Sequence, residues 1–133
     1  MKIAFVIPYP VAQAPSQRFR FEQYTFLLKE RHNIDFYPFW SDAAWQILYA
    51  EGKTMSKALY LASGYIKRCL LLWKIPGYDL IFLHREAAPL GPPVFEWVMV
   101  KILRKKLIYD FDDAIWLPNT SKQNRMAAIL KWH

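Results

Sequence analysis

A single cysteine, Cys69, stands in the 133-residue sequence. One thiol cannot build an internal disulfide framework, so a reducing, cytoplasmic setting is expected. Acidic residues are also few, 11 against 18 lysines and arginines, which leaves a net charge of +7 and a pI near 9.6. That excess favours anionic partners such as phosphorylated ligands or an acidic membrane surface. Nucleic acid ranks last and is not expected as a partner, because the basic residues are spread along the chain without a recognition motif. Long uninterrupted apolar runs are missing too. The apolar start at residues 3–6 meets Pro8 and Pro10 too soon for a secretory signal. The longest apolar tract, residues 58–75, is broken by Lys67, Arg68 and Lys74 and falls short of a membrane span. The sequence shows no internal repeat and no low-complexity tract.

What is present suffices for one core. At 54% hydrophobic and 17% aromatic the chain is far from a disordered composition, and its length suits one domain. Residues 3–7 are continuously apolar, as in a strand buried on both faces of a parallel sheet. Pro8, Pro10 and Pro15 hold an extended loop, after which Ser16 is placed to cap a helix carrying Phe19, Tyr24, Leu27 and Leu28 and ending near residues 31–33. Residues 34–40 alternate around Pro38 and read as a second strand at a sheet edge. Residues 41–52 offer little beyond a short helix around Trp45. From Thr54 a long helix is expected, with Met55, Ala58, Leu59, Ala62, Ile66, Cys69, Leu70 and Trp73 on one apolar face and Cys69 as core filler. Pro76 and Gly77 stop it. Residues 79–83 form a third strand, residues 94–103 a helix started by the preceding prolines, residues 107–109 a fourth strand, and Asn119 to Ser121 cap a last helix still running at His133. This alternation implies an α/β fold, a Rossmann-like, doubly wound parallel sheet whose loops after strands one, three and four share one edge. With no stop signal in its last helix, the chain reads as the front of something longer.

Three clusters carry chemistry. Asp110, Asp112 and Asp113 follow the fourth strand, where ligands bind in open α/β sheets. Alone, this pattern fits a magnesium-dependent aspartyl phosphatase, a metal-dependent GT-A glycosyltransferase, or a structural role in which Asp113 or Asp110 caps a turn or pairs with a neighbouring arginine. The loop after the first strand sets Arg18 and Arg20 in a first helical turn, where the dipole favours anions over cations. Pairing with Glu22 accounts for Arg18 and leaves Arg20 unmatched; a bound phosphate or carboxylate accounts for both. His84, Arg85 and Glu86 sit past the third strand, within reach of substrate hydroxyls, although a loop histidine is more often structural. The helix at residues 92–106 is apolar almost all round and ends in Arg104, Lys105 and Lys106. It reads as a core helix first, and as a helix on an acidic membrane second.

Residues 5–10, 14–20, 82–93 and 109–116 together resemble the amino-terminal part of bacterial glycosyltransferase family 4 members. The resemblance spans nearly the whole chain. It implies that residues 1–133 are the N-terminal, acceptor-side Rossmann-like domain of a two-domain GT-B enzyme of polysaccharide biosynthesis, with the C-terminal donor-binding domain absent. The activity implied is retaining, metal-independent transfer from a nucleotide sugar to a carbohydrate or lipid-linked acceptor, with no cofactor beyond the nucleotide-sugar co-substrate and no activity from this half alone. Relatives place a histidine near the donor sugar where this sequence has Asp112, which makes Asp112 the catalytic candidate. Ser16, Gln17, Arg18, Arg20, His84, Arg85, Glu86 and Asp113 are the acceptor-binding candidates. Two alternatives stand beside this reading: a non-catalytic module docking on a membrane or partner, and a fragment of a magnesium-dependent phosphatase.

Overall fold

The computed structural model describes residues 1–48, 50 and 52–111. Four strands, β1 (Lys2–Ile7), β2 (Asn33–Pro38), β3 (Leu80–His84) and β4 (Lys106–Asp110), form one all-parallel sheet in the order β2-β1-β3-β4. The continuous apolar run of β1 fits its central place. Residues 3–7 are all buried, flanked by β2 and β3 and covered on both faces. The chain steps from β1 outward to β2, then crosses back over β1 to reach β3. The strand order therefore reverses between β1 and β3, where open α/β sheets form their ligand crevice.

Alternating side chains feed two layers. Ile3, Phe5 and Ile7 point to the face covered by α1 (Pro15–Arg20) and α2 (Thr25–Lys29), where Phe21, Leu28, Phe36 and Phe82 join them. The Phe5 ring stacks on Phe82 with centroids 4.7 Å apart. Ala4, Val6, Ile81 and Leu83 point to the other face, against Leu71 and Ile75 of the long helix α4 (Thr54–Lys74) and its end, and Met99 beyond α5 (Val94–Trp97). At the carboxyl edge Phe39, Trp40 and Ala44 form a third cluster with Tyr9, Tyr60 and Tyr65. Ala44 lies on α3 (Asp42–Leu48), whose first turn is capped by the Ser41 hydroxyl accepting the Ala44 amide at 3.2 Å.

Several expectations are revised. The helix after the first loop is not continuous: α1 ends at Arg20, a 3₁₀ turn spans Glu22–Tyr24, and α2 follows. The break is at Phe21, whose backbone (φ −144°, ψ −34°) leaves the helical region so that its ring can reach Phe5 and Phe82. Phe19, Tyr24 and Leu27 are exposed. Ser16 is not the cap, for the helix begins at Pro15 with Ala14 before it. β2 is an edge strand, as Pro38 implies, and ends at that proline.

α4 has the expected length with the opposite rotation. Its eight-residue apolar face is exposed throughout, Trp73 at 86% and Met55 at 75%, while Gly64, Arg68 and Leu71 are buried. Cys69 is therefore exposed and fills no core. Close approach selects this rotation. A Cβ on Gly64 would fall 2.4 Å from the Phe39 ring, so only the glycine side of the helix lets Phe39 lie against it. The helix at residues 92–106 is likewise one-sided. A short α5 runs into a π-helical turn (Val98–Ile102), with Met99 buried and Val94, Trp97, Val100 and Ile102 exposed, because it covers the sheet from one side only. The expected helix near residues 119–133 lies outside the described residues.

Gly64→Ala is expected to destabilise the protein by about 1–3 kcal/mol through overpacking, despite alanine's helix preference of up to about 1 kcal/mol. The Phe39 ring cannot swing away, held by Trp40 and Tyr65 at centroid distances of 5.0 and 5.4 Å. Urea melts measure the difference; a stabilised alanine variant would contradict this packing.

Candidate functional site

Parallel pairing brings the ends of β1, β3 and β4 to one edge, and three buried polar groups fix the loops that leave it. The first is Gln17, fully buried on α1. Its Oε1 accepts the Tyr9 amide at 3.0 Å, while its Nε2 donates to Tyr9 O and Glu22 Oε1, each at 3.1 Å. Glu22 also accepts the Ala12 amide at 2.9 Å. Gln17 and Glu22 thus clamp the loop after β1, including Ala12 with its left-handed backbone (φ 66°).

The second is Arg68, 1% exposed on α4. Its Nε donates to Ala87 O at 2.5 Å, and its terminal nitrogens donate to Tyr37 O and Ile7 O, both at 2.8 Å. These carbonyls belong to β1, β2 and the loop after β3. Burial pulls its pKa down to about 10, and Glu96 opposes the shift, so the guanidinium stays charged at neutral pH.

The third group joins β3, β4 and α1. His84, at the tip of β3 and fully buried, places Nδ1 2.8 Å from Asp110 Oδ2 at the tip of β4. Arg20 donates to the same oxygen from Nε at 2.9 Å and to Oδ1 from Nη2, a bidentate pair across ninety residues of chain. The Arg20 bond holds the Asp110 carboxyl below the usual carboxylate range; burial opposes the shift and His84 reinforces it. An ionised carboxylate only accepts, so the proton on His84 Nδ1 points at Asp110 and the ring tautomer is set. Phe21 abuts that ring at 5.2 Å. The backbone repeats the link: Arg85, left-handed at φ 63°, donates its amide to Asp110 O at 2.7 Å.

The first-loop and third-strand candidates are thus near one another but differ in what they do. Arg20 and Asp110 form the accessible part of the cluster, with side chains 40% and 19% exposed. His84 supports them from beneath. Gln17 serves the loop and presents nothing to a ligand. Ser16 is half-buried on α1. Arg18 turns away from the cluster, over the Phe19 ring and along a surface groove of about 460 Å³ that also borders Lys29 and Phe36. Its expected partner Glu22 is engaged by Gln17 and Ala12, and Arg20, read as unmatched, is the arginine with a carboxylate. Arg85 and Glu86 are half-buried in the loop after β3, which Tyr65 (to Leu90 O) and Glu96 (accepting the Ala87 amide at 2.8 Å) hold down. Asp112 and Asp113 lie outside the described residues. Among the described residues no group of three or more histidine, cysteine or acidic side chains could hold a metal. Both Asp110 oxygens are engaged by protein donors.

The guanidinium and the carboxylate neutralise each other's charge, with the arginine at the accessible end of the cluster. The sequence offers pairing of Asp110 with an arginine as one reading, and the Arg20 bond bears it out; it does not announce His84 as the third member or Arg68 as the clasp. Arg68 had a signal, a cation next to Lys67 inside an apolar helical tract.

Asp110→Asn is expected to cost about 1–3 kcal/mol, the usual value of hydrogen bonds to charged groups. Because the native carboxyl titrates below the unfolded one, its contribution is complete above the unfolded pKa near 4 and fades as pH falls through the lower native value. Urea melts of both proteins between neutral pH and about pH 2 should therefore converge only at the acidic end. A gap that stays constant across that range would refute the ion pair. Compared with protein-family models, curated proteins and solved structures, the chain matches none.

Proposed function

We propose that this domain forms the acceptor side of a retaining, nucleotide-sugar-dependent GT-B glycosyltransferase whose donor is bound by a separate domain. The observation that supports this most is the Arg20–Asp110 pair, steadied by His84, at the carboxyl edge next to the point where strand order reverses. Arg20, the more exposed of the two, donates to acceptor hydroxyls and Asp110 holds it in place, while Arg85 and Glu86 in the adjacent loop extend the acceptor side. His84 is a positioning residue, because its side chain is buried. Asp112 remains the residue proposed to meet the reacting sugar, with Asp113 beside it. The acceptor is a carbohydrate or a lipid-linked sugar. Half of a cleft does not catalyse: attack on the anomeric carbon needs the donor held within about 3.5 Å of the acceptor oxygen, and that contact belongs to the other domain.

Amide chemical shifts of the 133-residue chain, followed during titration with a panel of mono- and oligosaccharides, test this reading. Binding is expected to move the amides of residues 84–86 and 110, and Arg20→Ala is expected to weaken it about tenfold or more. Incubation with nucleotide sugars should yield no transfer or hydrolysis. Turnover at about one per second or above, or carbohydrate shifts confined to surfaces away from the carboxyl edge, would overturn it.

A further inference from the structure

The outer face of α4 is an exposed apolar surface, and neither the core nor the carboxyl-edge site uses it. Met55, Leu59, Ile66, Leu70 and Trp73 are 59–86% exposed, and Ala58, Ala62 and Cys69 lie between them. They recur at three and four residues along a 21-residue helix about 31 Å long, so they make one continuous stripe. A monomer rarely leaves so regular an apolar strip in water without a use for it.

Charge identifies what covers it. Residues 52–78 contain five basic side chains and no carboxylate. Arg68 is spent inside the fold, while Lys53, Lys67 and Lys74 are exposed at the ends and flank of the stripe. A second copy laid antiparallel on this helix would bring Lys53 of each chain beside Lys74 of the other, and the helix itself, residues 54–74, carries no carboxylate to answer them. An anionic lipid surface neutralises the same lysines and takes up the same apolar side chains. No described helix is long and apolar enough to cross a membrane, so α4 would lie along the interface. The buried positions Gly64, Arg68 and Leu71 hold α4 to the sheet side.

We infer that α4 is a membrane-docking helix that seats the domain on an anionic bilayer through Met55, Leu59, Ile66, Leu70 and Trp73, with its lysines over the head groups. The cation-tipped segment at residues 95–106 is the poorer candidate on the same chain, because Lys105 is turned inward and donates to Pro76 O and Tyr78 O, each at 2.8 Å. This inference stands apart from the glycosyl-transfer reading.

Co-sedimentation of the 133-residue chain with phosphatidylcholine vesicles, with and without phosphatidylglycerol, tests it. Binding is expected to be about tenfold or more tighter with the anionic lipid and to weaken as salt rises. The Leu70→Ser, Trp73→Ser double variant should lose about tenfold or more on anionic vesicles while its thermal midpoint is unchanged, and Lys53→Gln with Lys67→Gln should lose the anionic preference alone. Equal binding to both vesicle types, no binding to either, or insensitivity to the serine variant would overturn it. So would a concentration-dependent dimer in analytical ultracentrifugation that the serine variant abolishes, which would assign the stripe to a second copy.

Discussion

One buried guanidinium organises the carboxyl edge of this sheet. Strand ends leave carbonyls beyond the reach of the next rung of the ladder, and buried carbonyls need donors. Arg68 serves three of them at once, from β1, β2 and the loop after β3, with a planar fork that no other side chain offers. Ile7 O receives both Arg68 and the Phe39 amide, the latter at 2.9 Å. The desolvation cost of such a cation is several kcal/mol, and its three bonds and its position over the Phe39 ring, 5.6 Å away, offset it. Remove the guanidinium and three segments lose a shared donor at once, Ile7 O keeping the Phe39 amide.

That clasp also decides how α4 is rotated. A hydrophobic pattern says which side of a helix is apolar, and the ordinary inference is that the apolar side is buried. Here Gly64 and Arg68, four residues apart, must face the sheet, one to admit the Phe39 ring and one to reach the carbonyls. The apolar stripe is turned outward as a result. A rule based on burial of apolar area fails where a buried polar group has a stronger positional demand than any leucine.

Much of the architecture was legible before any coordinates. The unbroken apolar run of β1, the alternation of strands and helices, and Pro38 at a sheet edge all follow from local sequence and hold in the structure. The placement of His84 and Asp110 at one edge follows from parallel topology alone. Pairings across long stretches of chain were not legible. Nothing near Arg20 announces Asp110, ninety residues on, and Gln17 reads as a ligand contact until its burial beneath Tyr9 is seen. The break at Phe21 was hidden for a similar reason: the pull on its ring comes from β1 and β3, while the helical spacing around it is local.

Arg68 fastens the loops that present the site, and Arg68→Lys tests that most directly because it keeps the charge and gives up the fork. Amide hydrogen exchange on the 133-residue chain should show Phe39, Trp40 and Ala87 losing protection ahead of the centre of β1, with overall stability reduced by about 2–4 kcal/mol. If the lysine variant keeps native protection at those three amides and native stability, the clasp is not what holds the edge together.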